Sequence, residues 1–371
     1  MNFYNEYCNI IADVESWNPT RKKDIDVSVD KVFYYPDSYN FIFELFWYDS
    51  NLRALSSTLH KWVESIPARR LSHTISLYLL GIKMANAIGF DKFHLLNWDN
   101  DLRRNFLHHW SAICLFHDIG YAFENRETSE LQDIHSLDDF SKRLKLKHCY
   151  HKDCAPDLVE HYFNYRIIEH HRVDHGIAGA MLLYDYLLSQ SEQQEKIDKE
   201  VLISIREKEA YGTDVIQTIE AYSQVIALHN MWYADSEEAV KKYKKHALTE
   251  LIPDPENSHL IKFVDNPILF LLCFTDTIEP IKACLGRDFN LSTYADDEFI
   301  KRAYAALKEN EIEVTRMDVL LSVQFNKGKS LIFDKAESTK NWLKTSSDEK
   351  EKTVSIPLSE KECDSANRKT F

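Results

Sequence analysis

Apolar residues recur at helical spacing through most of the chain between residues 40 and 310, and this periodicity constrains the fold more than any other feature. In the stretch WSAICLFHDIGYAFE, the residues Trp110, Ile113, Cys114 and His117 fall at i, i+3, i+4 and i+7, one face of a helix. Gly120 then supplies a helix stop. The pattern predicts a mainly α protein built as a helical bundle. Helices are predicted at 52–65, 71–88, 103–118, 157–171, 175–190, 215–231, 236–250, 266–284 and 296–310.

The two ends of the chain depart from this pattern. The stretch VLLSVQF-NKGK-SLIF is β-rich on both sides of a turn-like segment at 326–329, which predicts a small β-hairpin near the C-terminus. The final residues are rich in Ser, Lys and Glu and are predicted to be a disordered tail. The predicted divisions are an N-terminal extension at 1–50, a helical domain at 51–310 with a cap insertion at 121–165, a β-rich element at 311–344, and the tail at 345–371.

Charge and composition limit the partners. A formal net charge of −14 argues against duplex nucleic acid and anionic membrane as partners, since both are bound through basic surfaces. Seven cysteines without framework spacing, and an N-terminal stretch unlike a signal peptide, favour a cytoplasmic protein. With only 8 glycines and no Walker A or GxGxxG pattern, P-loop and Rossmann folds are not expected. A homo-oligomer is compatible with the sequence.

Further helix faces end or begin in an imidazole or a carboxylate. Together with His117 and Asp118, the residues concerned are His73, His175, His229 and Asp276. Such groups are costly to bury unless they are paired or bind a metal. Each residue taken alone could equally be a hydrogen-bonded histidine of the core, a carboxylate at a helix end, or a metal ligand. The set as a whole predicts a metal centre, because neutral imidazole and carboxylate from facing helices suit divalent transition metals.

This ordered set resembles the HD superfamily of metal-dependent phosphohydrolases. The motifs lie over residues 55–285: His73, HDIG at 117–120, HGIAGA at 175–180, ALHN around His229 and TDTIEP around Asp276. The resemblance implies the helical HD-domain fold and a ligand core of His73, His117, Asp118 and Asp276. His175 and His229 look like the extra ligands of the binuclear branch, so that two divalent ions (Mn, Fe, Co or Zn) are expected.

The resemblance also implies an activity, the hydrolysis of a phosphate ester of a nucleotide or a related small phosphorylated metabolite by a metal-bound hydroxide. Asp118 would bridge the two ions, and Asp118, His117 and Asn230 would have catalytic roles. Asn230 or Asp174 could orient a ligand imidazole. Tyr121 and Asn230 replace a lysine and a histidine typical of the family's cyclic-dinucleotide phosphodiesterases, so that particular substrate is not expected.

Four residues are predicted to contact the small anionic substrate. Arg172 could clamp a phosphate group or be a solvated surface arginine. His171 would share a helix face with His175 if the intervening stretch were helical. Lys145 and Lys147 belong to the basic run at 142–152, which could attract the substrate or be the solvated face of an ordinary helix. A third interpretation is a small zinc site at the end of this run, with His148, Cys149, His151 and Cys154 as ligands.

Two other classes of function are compatible with the sequence. A di-iron oxygenase of the inositol-oxygenase type uses the same ordered ligand set. A non-catalytic sensor could bind a nucleotide without turnover. Oxygen dependence separates the first from a phosphohydrolase, and the loss or retention of an activity in a ligand variant separates the second.

Overall fold

The structure is a computed structural model that describes residues 1–17, 68–93, 102–124, 134–201, 213–254, 260–285, 296–326 and 331–359. The chain divides into two compact units. The first unit draws on residues 1–57, 67–93 and 260–371, and the second on residues 58–66 and 94–259. The predicted domain at 51–310 is therefore shared between two units.

Helices dominate both units, which confirms the prediction of a mainly α fold with a small β element. In chain order they are α1 (Phe3–Trp17), α2 (Ala68–Ile88), α3 (Leu102–His117), α4 (Tyr121–Glu124), α5 (Leu137–Leu144), α6 (Tyr150–Asp153), α7 (Asp157–His170), α8 (His175–Val201), α9 (Thr213–Leu228), α10 (Glu237–Lys245), α11 (Pro267–Ile278), α12 (Pro280–Leu285), α13 (Asp296–Glu309) and α14 (Leu331–Ser338). Short 3₁₀ turns lie at Phe90–Lys92, Thr249–Leu251 and Thr339–Asn341. The helix predicted at 52–65 lies outside the described residues.

The helix predicted at 266–284 is two helices. Asn266 caps the first, with its side chain accepting a hydrogen bond from the Leu269 N–H. Pro280 then begins the second, and a proline fits the first position of a helix because no intrahelical hydrogen bond needs its N–H. The break between the two helices places Glu279 in the connection.

The first unit carries a four-stranded antiparallel sheet of order β1-β2-β4-β3. Its strands are β1 (Ile312–Met317), β2 (Leu320–Phe325), β3 (Ser346–Asp348) and β4 (Thr353–Pro357). The hairpin of β1 and β2 turns at residues 318–319, with Met317 opposite Leu320. Its predicted position was wrong: the segment expected to be its second strand contributes instead to α14, and residues 327–330 lie outside the described residues. Strand β1 is mainly exposed: Ile312 is the only buried residue of its six, so the strand has little of the buried face by which a half-buried strand is recognised.

The prediction of a disordered tail is wrong for the part of it that the structure describes. Strand β4 pairs with both β2 and β3, so it lies inside the sheet. Its Val354 and Ile356 side chains are buried. These two apolar residues at alternate positions form the core-facing side of the strand. The mean composition of the surrounding segment is polar and does not reveal them. Residues 360–371 lie outside the described residues.

The start of the chain belongs to the core of the first unit. Helix α1 packs against α2 and α13, and Phe3 and Tyr7 are fully buried. The Tyr7 hydroxyl also shares a hydrogen bond of 2.9 Å with Ser76 on α2. Residues 3–17 are therefore an integral element and not an appendage. Residues 18–50 of the predicted extension lie outside the described residues.

The predicted cap at 121–165 belongs to the second unit, where it contributes α4, α5, α6 and most of α7. The described residues contain no helix that could span a lipid bilayer.

Candidate metal centre

Four of the predicted ligands lie in the second unit, where the ends of three helices meet. His117 is the last residue of α3, His175 is the first of α8, and His229 directly follows α9. These three imidazoles and the Asp118 carboxylate are all buried. One ligand atom each of Asp118, His175 and His229 lies within 4.8 Å of the other two. This buried group of carboxylate and imidazole can hold a metal ion.

Glycines allow these helix ends to come together. A Cβ atom on Gly120 would lie 1.9 Å from the carbonyl oxygen of His175, and one on Gly179 would lie 2.5 Å from the carbonyl oxygen of Phe116. A Cβ on Gly176 would lie 3.0 Å from the His229 ring. Any side chain at these positions would push α8 away from α3 and α9, and the ligand group would open.

His117 and His229 are held in the form that binds metal. Their Nδ1 atoms lie 2.6 Å from the Cys114 carbonyl and 2.7 Å from the Ile226 carbonyl. Because a carbonyl only accepts hydrogen bonds, each Nδ1 carries the proton and the lone pair is on Nε2. The His117 Nε2 lies 3.3 Å from the Asp118 carboxylate. A cation between two such atoms would stabilise their close approach.

His175 reaches the group in a different environment. Tyr121 stacks on its ring, with centroids 3.9 Å apart and planes 15° apart. Its Nδ1 lies 3.5 Å from the Asn230 amide nitrogen, a donor, and its Nε2 lies 3.8 Å from the Asp118 carboxylate. Neutral His175 can accept from this amide only with its proton on Nε2. Binding a metal through Nε2 would require that proton to move, so His175 supports a metal site by its position and not by its tautomer.

A buried polar network surrounds His175. The fully buried Asp174 accepts hydrogen bonds from the Ile177 N–H at 3.0 Å and the Asn230 amide at 2.9 Å. Burial raises the pKa of the Asp174 carboxyl, while Arg166 and these hydrogen bonds oppose the rise. Burial lowers the pKa of Arg166, but the acidic groups around it, Asp174 first, outweigh this and raise it. The predicted role of Asn230 or Asp174 in orienting an imidazole thus has a physical basis.

The other two predicted ligands form a pair in the first unit. His73 on α2 lies with its Nε2 3.0 Å from a carboxylate oxygen of Asp276 on α11. Its Nδ1 lies 2.9 Å from Glu279, which is fully buried. A carboxylate on Nδ1 is the usual partner of a metal-binding histidine. Lys282 donates to both Asp276 oxygens at 2.6 Å, so a cationic group already balances this carboxylate.

Sequence reasoning missed Glu279. Its carboxylate accepts hydrogen bonds from the N–H groups of Ile281 at 2.9 Å and Lys282 at 2.7 Å, which cap the start of α12. The signal in the sequence is an acidic residue directly before Pro280, three residues after the predicted ligand Asp276.

The predicted substrate contacts are all exposed. His171 has a left-handed φ of 53° and ends α7, so no helix runs from His171 to His175 and the condition for a shared face is not met. Arg172 is exposed in the following connection. Lys145 ends α5 with a φ of 56°, and Lys147 forms an ion pair with Glu192. Their predicted contact with a substrate stays a prediction.

The interpretation of the basic run as a zinc site has no support among the described residues. Within that part of the chain, none of the clusters with metal-ligand geometry contains His148, Cys149, His151 or Cys154. His151 instead donates a hydrogen bond from Nε2 to the Asp138 carboxylate at 3.0 Å. The exposed Lys142, Arg143, Lys145 and Lys147 favour the reading as the solvated surface of α5 and the loop that follows it.

Comparison with known proteins adds no identification: no family model, curated protein or solved structure matches the chain. The site is therefore characterised by its own geometry, a buried group of histidines and aspartate able to hold a metal ion.

Proposed function

We propose that this chain is a metal-dependent phosphohydrolase that cleaves a phosphate ester of a nucleotide or a related small phosphorylated metabolite. The observation that carries the proposal is the buried convergence of Asp118, His175 and His229 beside His117. Gly120, Gly176 and Gly179 let the ends of three helices come within backbone contact at this point, which brings the four side chains together. The order of the ligand motifs along the chain, which resembles the HD superfamily, supplies the reaction class.

The proposed ligands in the second unit are His117, Asp118, His175 and His229. The mixture of nitrogen and oxygen donors favours Mn, Fe, Co or Zn over Mg or Ca. His73 and Asp276 enter the proposal through the resemblance and through their own 3.0 Å pairing. The same resemblance keeps two divalent ions in the proposal.

The chemistry that such ions supply is the activation of a water molecule and the neutralisation of charge on phosphate oxygens. The protein's own part is to hold the ligands. The backbone carbonyls of Cys114 and Ile226 keep the Nε2 atoms of His117 and His229 able to bind. Asn230 holds the segment after His229 against Asp174 through its amide.

The first experiment is to measure metal per chain by mass spectrometry on protein purified without chelator and supplemented with Mn or Fe. Wild type, Asp118→Asn and the exposed control His135→Ala are compared. We expect bound metal in wild type and His135→Ala and its loss in Asp118→Asn, because Asp118 is central to the ligand group. Unchanged metal content in folded Asp118→Asn, or no metal in wild type, would contradict the proposed site.

The second experiment tests the reaction. Phosphate release from a panel of nucleotides and sugar phosphates is measured with the metal-loaded protein under anaerobic conditions. We expect release in wild type and its loss in Asp118→Asn. No phosphate release under these conditions, together with turnover once oxygen is admitted, would contradict the proposal in favour of an oxygenase. Bound nucleotide without turnover would contradict it in favour of a sensor.

A further inference from the structure

We propose that Arg166 is a positioning residue for the metal group of the second unit, acting through Asp174 and Asn230 on His175 and His229. The inference rests on the metal-binding part of the proposed function and is independent of the reaction. Arg166 lies on α7, an element that supplies none of the proposed ligands.

The first link is the cap of α8. Asp174 precedes His175, and one of its carboxylate oxygens accepts the hydrogen bond of the Ile177 N–H at 3.0 Å. Its backbone carbonyl also accepts from the Ala178 N–H at 3.0 Å. Asp174 is therefore the N-cap, and His175 is the first residue of the helix. The conformation of Asp174 consequently decides where the imidazole of His175 lies.

The second link is Asn230. Its amide nitrogen donates to the other Asp174 oxygen at 2.9 Å and lies 3.5 Å from the His175 Nδ1. Its amide oxygen accepts from the Trp232 indole N–H at 3.1 Å, which determines which way the amide points. Since Asn230 directly follows His229, the same carboxylate of Asp174 holds the segments of two proposed ligands.

The third link is the charge of Arg166. Its Nε lies 3.7 Å from the Asp174 oxygen that Asn230 contacts, and its Nη2 lies 3.3 Å from Glu124 on α4. Asp174 is fully buried, and a buried carboxylate without a cationic partner is strongly disfavoured. Arg166 therefore places a positive charge beside the buried carboxylate that caps α8 and accepts from Asn230, while Glu124 holds the guanidinium in place.

The consequence is a specific expectation for metal binding. Substitutions of groups that orient metal ligands typically weaken metal affinity about 10- to 100-fold. We expect Arg166→Gln to weaken Mn²⁺ binding to the full-length protein within that range, measured by calorimetry. With Co²⁺ as the probe, the visible absorption bands of the bound ion should also change, because the arrangement of the ligands changes. Arg166→Lys retains the charge and should recover most of the affinity.

Controls separate this role from general stabilisation. Arg302→Gln removes an exposed arginine that pairs with Glu298 on its own helix, and it should alter neither Mn²⁺ affinity nor the Co²⁺ spectrum. Asn230→Ala removes the link without removing a charge and should reproduce the effect of Arg166→Gln. In the double variant Arg166→Gln, Asp174→Asn, the loss should be smaller than the product of the two separate losses, since both act on one network.

Wild-type affinity and an unchanged Co²⁺ spectrum in folded Arg166→Gln would overturn the inference, as would full additivity in the double variant. If Arg166→Gln does not fold, the Asn230→Ala and Arg166→Lys measurements decide. Failure of the proposed function gives a different result: the metal effects of Arg166 would be present, and no phosphate ester would be cleaved.

Discussion

A Cβ atom on Gly120 would lie 1.9 Å from the carbonyl oxygen of His175. The turn at the end of the HDIG motif therefore lies against the backbone of the residue that begins α8. This contact places the buried pair His117 and Asp118 beside His175, and only glycine permits it. The glycine of the motif thus contributes to the metal group by letting two backbones touch.

We expect Gly120→Ala to destabilise the protein by about 3 kcal/mol or more, because the obstacle is a backbone carbonyl that cannot rotate away. Urea unfolding of wild type, Gly120→Ala and the partly exposed α8 control Ser189→Ala measures this. The control should change stability by less than about 0.5 kcal/mol. A Gly120→Ala protein as stable as wild type would show that the contact is not as close as described.

A second prediction contrasts two buried histidines on α3. His109 lies 2.5 Å from the Tyr222 hydroxyl and outside the ligand group, whereas His117 belongs to it. We expect His109→Gln to cost about 1 to 3 kcal/mol through the lost hydrogen bond and to leave bound metal unchanged. His117→Gln should abolish or strongly reduce bound metal. Metal analysis and thermal unfolding of both variants test this, and equal loss of metal in the two would refute it.

A third prediction concerns acid stability. Hydrogen bonds from His246 and Lys245 lower the pKa of Glu169 from 4.5 to about 2. Between these values the unfolded state binds more protons, so the stabilisation by Glu169 is complete above 4.5 and is lost as the pH falls towards 2.

Glu169→Gln should therefore be less stable than wild type near neutral pH. The difference in the free energy of unfolding between the two proteins should shrink as the pH falls from 4.5 to 2. The midpoints of urea unfolding across this range measure the difference. A difference in stability that stays constant with pH would contradict the titration of Glu169 in this range. Glu160→Gln on the same helix is the matched control and should have nearly the stability of wild type.

A fourth prediction tests the place of β4 in the first unit. Ile356 is about 1% exposed, in a strand with neighbours on both sides. We expect Ile356→Ala to lower the free energy of unfolding by about 2 to 5 kcal/mol, because it leaves a cavity. Ser355→Ala on the same strand should have little effect. An unchanged free energy of unfolding in Ile356→Ala would support the prediction that this segment is a disordered tail.

Much of the helical framework follows from the sequence. The predicted helices at 71–88, 103–118 and 157–171 differ from α2, α3 and α7 by a few residues at most. These segments carry apolar residues at helical spacing, which is a local property. The sheet was placed less well because β1 is mostly exposed and β4 owes its order to the strands beside it. Strand pairing joins segments that are distant in sequence, so local composition does not predict it.

The proposed ligands followed from residue type and order, but their partners did not. Glu279 beside His73, Tyr121 on the ring of His175, and Arg166 near Asp174 are all contacts made across separate helices. His171 and His175 do not share a helix face, because the left-handed conformation of His171 ends α7 before His175 begins α8.

By itself, the sequence determined that the chain is mainly helical and that its buried faces carry imidazoles and carboxylates in the order that predicts a metal centre. Only the tertiary structure decided which of these groups meet, which ring nitrogen carries each proton, and which charge balances a buried cap. Helical periodicity depends on residues that are close in sequence. Ligand geometry depends on backbone contacts between segments that are distant in sequence. At Gly120 and His175, that contact exists because one residue has no side chain.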